Sequence, residues 1–348
     1  MTKKGYPVRF IICVYIICCL VRKFDEIGIE IINTLELWAG VLVPSLFPYM
    51  VLSQYITSSG MLSILKPIKI ILMKLFNISD CGADVYLCSL VSGYPSGAVC
   101  VKELYNSGEI DKKEAERLVQ FTNNAGALFV ISAIGSTMLG CTKDGVAIYI
   151  IQNLSAMIFG FISSLFAPKN NPILCRTTVR SKPLIKCCSD SVDTMLRICG
   201  YLICVTVVGS IAIMTLKASP YFNGQYETIA KCGVYMILEI TKCVQGLSAL
   251  EHTPIVFALI CGAVSFGGVS VILQIKSCLP DDFETKKLVA ARVCQGAISF
   301  VLGYVYEFVS EPCVGCKSEN IATIASLALC ALIFVGSLIL KSNRIRNN

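Results

Sequence analysis

The sequence predicts an all-α, polytopic helical membrane protein with two related halves, each containing a membrane segment interrupted by glycine or proline. The chain of 348 residues is 55% hydrophobic and 15% charged, whereas soluble domains carry about 25% charged residues. Its mean hydropathy is +0.70. The apolar residues cluster in runs close to the roughly 20 residues that a helix needs to span a bilayer. A glycine-punctuated apolar motif also occurs twice.

The repeated motif reads LVSGYPSGA over 90–98 and GAVSFGGVS over 262–270. If Gly97 is placed on Gly267, the offset is 267 − 97 = 170, and the same offset aligns two short blocks of the helices that follow. Helix breakers at matched positions of two apolar segments are what a transporter uses to expose backbone groups to a solute at membrane depth. A kink for tight helix packing is the alternative, because Gly and Ser also serve that purpose.

The first part of the chain, residues 1–34, predicts a membrane anchor followed by an amphipathic stretch. Lys3, Lys4 and Arg9 precede an apolar run that has no small-residue cleavage site, which favours an uncleaved signal-anchor helix.

Residues 35–166 form the first predicted repeat. Its elements are a span over 38–56 with Pro44 and Pro48, a surface helix over 66–76, the broken segment 85–105, a helix over 111–139 and a span over 145–166.

A basic linker separates the two halves. Residues 167–190 contain five Lys or Arg, and residues 191–340 form the second predicted repeat, with a basic tail over 341–348. Its elements are a span over 191–216, an amphipathic segment over 232–250, the broken segment 253–275, a partner helix over 283–308 and a last span over 321–340.

The basic loops also predict an orientation. Basic residues accumulate on the cytoplasmic side, so the linker and the tail are expected there. Four crossings between the linker and the tail would make the two halves parallel. If the second broken segment were a re-entrant hairpin, the number of crossings would become odd, unless the neighbouring amphipathic segment also crosses the membrane.

The predicted solute-binding residues are helix breakers and uncharged polar side chains around the two motifs, together with one arginine. Backbone groups freed by the breakers need a partner that hydrocarbon cannot supply, and amides inside a membrane helix avoid lipid. Hydrogen bonding between helices is the alternative role for the amides. The set is Ser92, Gly93, Pro95, Ser96, Gly97, Gln120, Asn123, Asn124, Gly267, Gly268, Arg292 and Gln295.

Arg292 has two open interpretations. A charged side chain deep in an apolar helix is a functional candidate by default, so Arg292 is expected to meet an anionic solute or to pair with Glu239 and fix the fold. The amides without carboxylates in the first half suit a neutral polar solute such as a nucleoside or sugar.

No enzymatic chemistry is expected. The sequence has no HExxH, Walker or GxSxG motif and one histidine, His252. Cys313 and Cys316 have metal or redox spacing, but one CxxC supplies half of a zinc site. We therefore expect no catalytic residue, metal site, cofactor or nucleic-acid partner, and the lipid bilayer as the surroundings.

Three blocks together resemble the YlbJ-type sporulation integral membrane proteins. They are LVPSLFPY over 42–49, SGYPSGA over 92–98 and EAERLVQFTN over 114–123, and SFGGVS over 265–270 is similar to that family's second-half motif. The resemblance implies the nucleoside-recognition or "Gate" domain and a core of inverted repeats. It also implies a role in spore cortex formation or maturation.

The resulting hypothesis is a multi-pass protein of a bacterial cell membrane, or of a membrane that surrounds the forespore. It would act as a permease or gate for a small polar solute. The alternative is a non-transporting scaffold that holds other sporulation membrane proteins in place.

Overall fold

The computed structural model describes residues 6–167, 182–217 and 225–310, and these residues contain helices and no β-strand. The predicted last span, Cys313, Cys316 and the tail lie outside the described residues. The helices are α1 (Tyr6–Arg22), α2 (Phe24–Leu37), α3 (Val43–Ser59), α4 (Lys66–Phe76), α5 (Asp80–Ser92), α6 (Ser96–Asn106), α7 (Lys112–Phe121), α8 (Thr142–Leu165), α9 (Leu184–Lys217), α10 (Gln225–Leu238), α11 (Ile240–Ser248), α12 (Pro254–Phe266), α13 (Gly268–Ser277) and α14 (Thr285–Ser310).

Five stretches are long and apolar enough to cross a membrane, so the chain is a multi-pass helical membrane protein, as predicted. They are Phe24–Ser59, Thr142–Leu165, Leu184–Lys217, Pro254–Ser277 and Thr285–Val309.

The first of these stretches joins two predicted elements. A π-helical turn, Trp38–Leu42, connects α2 to α3 without a loop. The combined helix packs along α9 in the opposite direction, because Thr34 bonds Thr206 at 2.9 Å and Gln54 bonds Ser191 at 3.0 Å. The predicted helix over 66–76 is present as α4, and its place at the membrane surface stays a prediction.

Helices α5 and α6 form a hairpin, which we call the first hairpin. The chain reverses at Gly93–Pro95, where Gly93 has φ +71 and the Tyr94–Pro95 bond is cis. Proline has no N–H to continue a helix and glycine tolerates positive φ. The predicted interruption is therefore present, but it turns the chain back instead of kinking a span.

We call helix α7 together with the π-helical segment Phe129–Met138 the first interrupted span. It is not one of the five stretches above, and Phe129–Met138 is a shorter apolar helix. Asp111 caps the start of α7, since its Oδ1 accepts from Glu114 N at 2.7 Å. The predicted continuous helix over 111–139 is wrong, because α7 ends at Phe121 and residues 122–126 are not helical. Thr122 Oγ1 and Asn123 Nδ2 donate to the last carbonyls of α7 instead, which is how such side chains compete with helical bonding. The polar residues from Gln120 onward consequently do not share one helix face.

The second half contains a corresponding pair of elements. Helices α10 and α11 form the second hairpin, which turns at Glu239, so the predicted single segment over 232–250 is two helices. The second interrupted span is α12 with α13, which breaks at Gly267 (φ +79) as predicted.

The two halves run antiparallel. Lys112 at the start of α7 donates to Asp282 just after α13, at 2.8 Å, so the interrupted spans have opposite directions. His252 before α12 lies 3.9 Å from Asp144 at the start of α8. Helix α14 starts at the opposite end, where Lys287 forms an ion pair with α7. These contacts fit the inverted arrangement that the resemblance implies and not the parallel alternative, and the internal repeat itself stays a prediction.

The two hairpins extend into the molecule from its two opposite ends. We call the side where α9 begins the linker side. The first hairpin ends there, because Lys182 forms an ion pair with Glu103 of α6. The second hairpin starts at the far side, where Lys217 at the end of α9 pairs with Glu227 at 2.9 Å. The offset of 170 therefore matches unlike elements, since it pairs the tip of a hairpin with the break of a span.

Candidate functional site

Each hairpin tip packs against the break of an interrupted span, and we call the region where they meet the central junction. In the first half the contact is between backbones: a Cβ added at Gly97 would lie 3.0 Å from Thr122 C, and one at Gly93 would lie 2.6 Å from Gly126 Cα. In the second half a Cβ at Gly268 would lie 2.9 Å from Leu238 C. Only glycine permits these approaches.

Hydrogen bonds join the first hairpin to the first break. Tyr94 N donates to Asn124 O at 2.7 Å, and Ala98 N donates to Asn123 Oδ1 at 2.9 Å. Asn123 thus accepts from the first turn of α6 and donates to the last turn of α7. This side chain satisfies backbone groups that both helix ends would otherwise leave unpaired.

Arg292 connects the two halves. It is completely buried in α14. Its Nε donates to Phe266 O at 3.2 Å, and its Nη1 donates to Asn123 O at 2.8 Å. Gln295, one turn later, donates to Gln120 O at 2.6 Å. Both side chains therefore bind carbonyl oxygens at or near the C-terminal ends of half-helices.

Arg292 does not pair with Glu239, which was one of the two interpretations. Glu239 caps α11, because its carboxylate accepts from Thr241 N at 2.9 Å and Lys242 N at 2.8 Å. Among the described residues, no carboxylate lies within ion-pair distance of Arg292. The charge of this guanidinium is met by backbone carbonyls.

The structure places the predicted solute-binding residues around the central junction. Eleven of the twelve are buried, and Gln120 is partly exposed. Ser92 Oγ donates to Cys88 O within its own helix at 3.0 Å. In the described part of the chain, Ser96 Oγ and Arg292 Nη2 are buried without a hydrogen-bond partner.

Sequence reasoning missed a set of polar residues on α8, which was interpreted as a plain span. Gln152 Nε2 donates to Ala125 O at 2.7 Å, and Asn153 Oδ1 accepts from Asn124 at 3.3 Å. Ser155 Oγ lies 3.5 Å from Ser265 Oγ of α12. Three polar residues close together in an apolar helix were the available signal, because such residues avoid lipid.

Two clefts lined with charged residues lie outside the junction, at the two ends of the molecule. A cleft of about 440 Å³ at the far side is lined by α2, α9 and the second hairpin, and Lys242 forms an ion pair there with Glu30. A cleft of about 240 Å³ on the linker side is lined by α6, α9 and α13. On the same side, Lys112 and Asp282 form a side-chain hydrogen bond. This bond raises the pKa of Lys112 and lowers the pKa of Asp282.

The described residues contain no group of three or more His, Cys, Asp or Glu that could hold a metal ion.

The chain is similar to one curated protein. It is 25% identical over 308 residues to the sporulation integral membrane protein YlbJ of Bacillus subtilis (strain 168), and the match covers 77% of this chain and 74% of that protein. The resemblance that the sequence blocks predict is thereby confirmed. No family model matches the chain. No solved structure matches it. The nucleoside-recognition or Gate domain stays a prediction.

Proposed function

We propose that this multi-pass membrane protein is a permease or gate for a small polar solute and acts during sporulation, in spore cortex formation or maturation. The relative in Bacillus subtilis is named a sporulation integral membrane protein, which supports the setting. The proposed location is the bacterial cell membrane or a membrane that surrounds the forespore.

One observation carries the transport part of the proposal. Two hairpins enter from opposite sides, and their tips meet two interrupted spans at one buried junction. Unwound backbone at membrane depth is tolerated where protein buries it or where it lines a cavity, and paired interruptions are where transporters bind their solutes. Because each hairpin stands between the junction and one cleft, movement of either hairpin would open the junction to one side only.

The present arrangement corresponds to a closed state. Arg292, Asn123 and Gln295 are fully buried, and their bonds join α14 to the first interrupted span. A solute would enter only after a hairpin tip separates from its break. The residues that would bind it are the twelve predicted ones, with glycine and proline shaping the backbone and the amides and Arg292 donating hydrogen bonds.

The second candidate is a non-transporting scaffold for spore-envelope assembly, with other sporulation membrane proteins as partners. The close packing of the junction favours it, because Asn123, Asn124 and Gln295 all have partners within the protein. Both candidates are non-enzymatic and need no cofactor.

Uptake into proteoliposomes distinguishes the two candidates. We would screen nucleosides, small acids and metal ions, and compare Asn123→Ala with Lys186→Ala, which alters an exposed ion pair near the linker. The permease predicts uptake that falls about tenfold or more in Asn123→Ala, because a buried donor then loses its acceptor, and that persists in Lys186→Ala. Absence of uptake for every solute, with sporulation lost in Lys186→Ala alone, would favour the scaffold.

A further inference from the structure

Arg292 is a buried cation, and none of the described carboxylates lies close enough to balance its charge. A buried cation in a protein is normally paired with an anion. Arg292 has no exposed surface and no carboxylate within ion-pair distance in the described part of the chain. Its Nη2 is also buried without a hydrogen-bond partner there. The guanidinium consequently retains an unused donor and has no ionic partner among the described residues.

The carbonyls that bind Arg292 compensate the charge in part. Phe266 is the last residue of α12, and Asn123 follows the end of α7. The C-terminal end of a helix carries about half of a negative charge at most, and this charge falls off within the last turn. Two such ends hold the guanidinium in place through Nε and Nη1 and leave Nη2 free.

The first hairpin brings a second group of donors to the same place. Arg292 Nη1 and Tyr94 N donate to the carbonyls of adjacent residues, Asn123 and Asn124. Two residues after Tyr94, α6 begins at Ser96, whose hydroxyl is buried without a partner. Helix α6 is 11 residues long, and a helix N-terminus favours an anion.

From this arrangement we propose that the solute carries an anionic group, a carboxylate or a phosphate, and that this group binds Arg292 Nη2 at the central junction. Ser96 Oγ supplies a further donor, and the N-terminal end of α6 adds a partial positive charge. The inference rests on the proposed permease or gate function and narrows its solute class. It decides between the two solute classes left open by the sequence, the neutral polar solute suggested by the amides and the anionic solute suggested by Arg292.

Arg117 shows what a purely structural arginine looks like in this fold. It is also buried, but its two terminal nitrogens donate to the carbonyls of Phe76 and Asn77 at the end of α4. Both arginines cap helix ends, and only Arg292 keeps a free terminal nitrogen. Arg117→Gln is therefore the matched control for Arg292→Gln.

The test is ligand-induced stabilisation of the purified full-length chain in detergent, followed by the fluorescence of its one tryptophan, Trp38. The probes are inorganic phosphate and succinate, with uridine and glucose as neutral probes and chloride to match ionic strength. A ligand that binds the folded state raises Tm. We expect phosphate or succinate to raise the Tm of the unaltered protein and of Arg117→Gln, with binding about 10- to 100-fold weaker in Arg292→Gln. If Arg292→Gln does not fold, Arg292→Lys replaces it, with a smaller loss because the charge remains and the planar fork does not.

Three results would overturn the inference. They are no Tm shift by either anion in the unaltered protein, an equal shift in Arg292→Gln or Arg292→Lys, and a shift by uridine or glucose alone. Uptake of a neutral solute in the third case would leave the proposed function intact. Failure of every solute in the proteoliposome screen would reject the proposed function as well. A difference between phosphate and succinate identifies which anionic group the site prefers.

Discussion

Replacement of Gly97 by alanine tests the contact between the first hairpin and the first interrupted span. Gly97 lies in the first turn of α6. A Cβ there would overlap the carbonyl oxygen of Thr122, and it would lie 3.0 Å from the carbonyl carbon and 3.1 Å from Asn123 Oδ1. Because the neighbours are backbone atoms and a side chain that is fixed by its own hydrogen bonds, they have little room to move.

The cost follows from what must separate. Overpacking of a tight contact costs about 1–3 kcal/mol. Movement of the tip also weakens two buried bonds, Ala98 N to Asn123 Oδ1 and Tyr94 N to Asn124 O, and a buried group left without its partner costs about 1–3 kcal/mol. We therefore expect Gly97→Ala to destabilise the protein by about 2–6 kcal/mol.

Gly200 provides the matched control. It lies within α9 with nothing within 4 Å of an added Cβ, and alanine is favoured over glycine in a helix by up to about 1 kcal/mol. The assay is thermal unfolding of both variants in detergent, followed by Trp38 fluorescence, with counts of heat-resistant spores as the functional measurement. Equal unfolding temperatures for Gly97→Ala and Gly200→Ala would refute the close contact at the junction.

Two further predictions concern other parts of the fold. Gly268→Ala should lower the unfolding temperature strongly, because Gly268 has φ +76 and an added Cβ would lie 2.9 Å from Leu238 C and O. Gly233→Ala is the control and should not lower it, because Gly233 is an open position in α10. Similar unfolding temperatures for the two variants would contradict the packing of the second hairpin. Lys69→Met should destabilise the protein by about 1–3 kcal/mol, because the buried ammonium of Lys69 pairs with Asp80 and Asp84 of α5. The expected loss is below the roughly 3–5 kcal/mol of a fully buried pair, because the side chain of Asp80 is 31% exposed. Chemical denaturation would measure this loss, and unchanged stability of Lys69→Met would show that the ion pairs contribute nothing.

The sequence predicts those features of the fold that depend on local chemistry. Asp111 caps a helix because its carboxylate reaches an amide three residues later, and Gly267 ends α12 because glycine accepts positive φ. The same holds for the interruption at Gly93–Pro95, but not for its form as a reversal of the chain. Such features involve residues close together in the chain and can be recognised without tertiary structure.

Features that depend on distant partners could not be predicted in this way. Residues 122–126 lie between a helix-forming segment and the apolar run that begins at Ala127, so the sequence suggests one continuous helix. The first hairpin interrupts that helix by binding Asn123 and Asn124. Arg292 was recognised as unusual from its position in an apolar segment. Its partners, two backbone carbonyls on other elements, carry no signal in the sequence.

The offset of 170 illustrates the same limit of local patterns. The similar local sequences around Gly97 and Gly267 suggested equivalent elements. Whether a glycine lies in the turn of a hairpin or interrupts a span depends, however, on which residues pack against it. Gly97 faces the break of α7, whereas Gly267 is itself the break of α12. The inverted arrangement became evident from ion pairs between the ends of the spans, such as Lys112 with Asp282.

A reversible cross-link across the central junction tests the account most directly. Ser155 of α8 and Ser265 of α12 have hydroxyl oxygens 3.5 Å apart, so cysteines at both positions would place their sulfur atoms in contact. A disulfide forms between them when the Cβ atoms reach a separation of about 3.8 Å. In a background without the other cysteines, we predict that oxidation forms this bond and that solute uptake persists, because the proposed opening moves a hairpin tip and leaves α8 and α12 in place. Failure of the bond to form, or a loss of uptake on oxidation that reduction reverses, would contradict an opening by the hairpins alone.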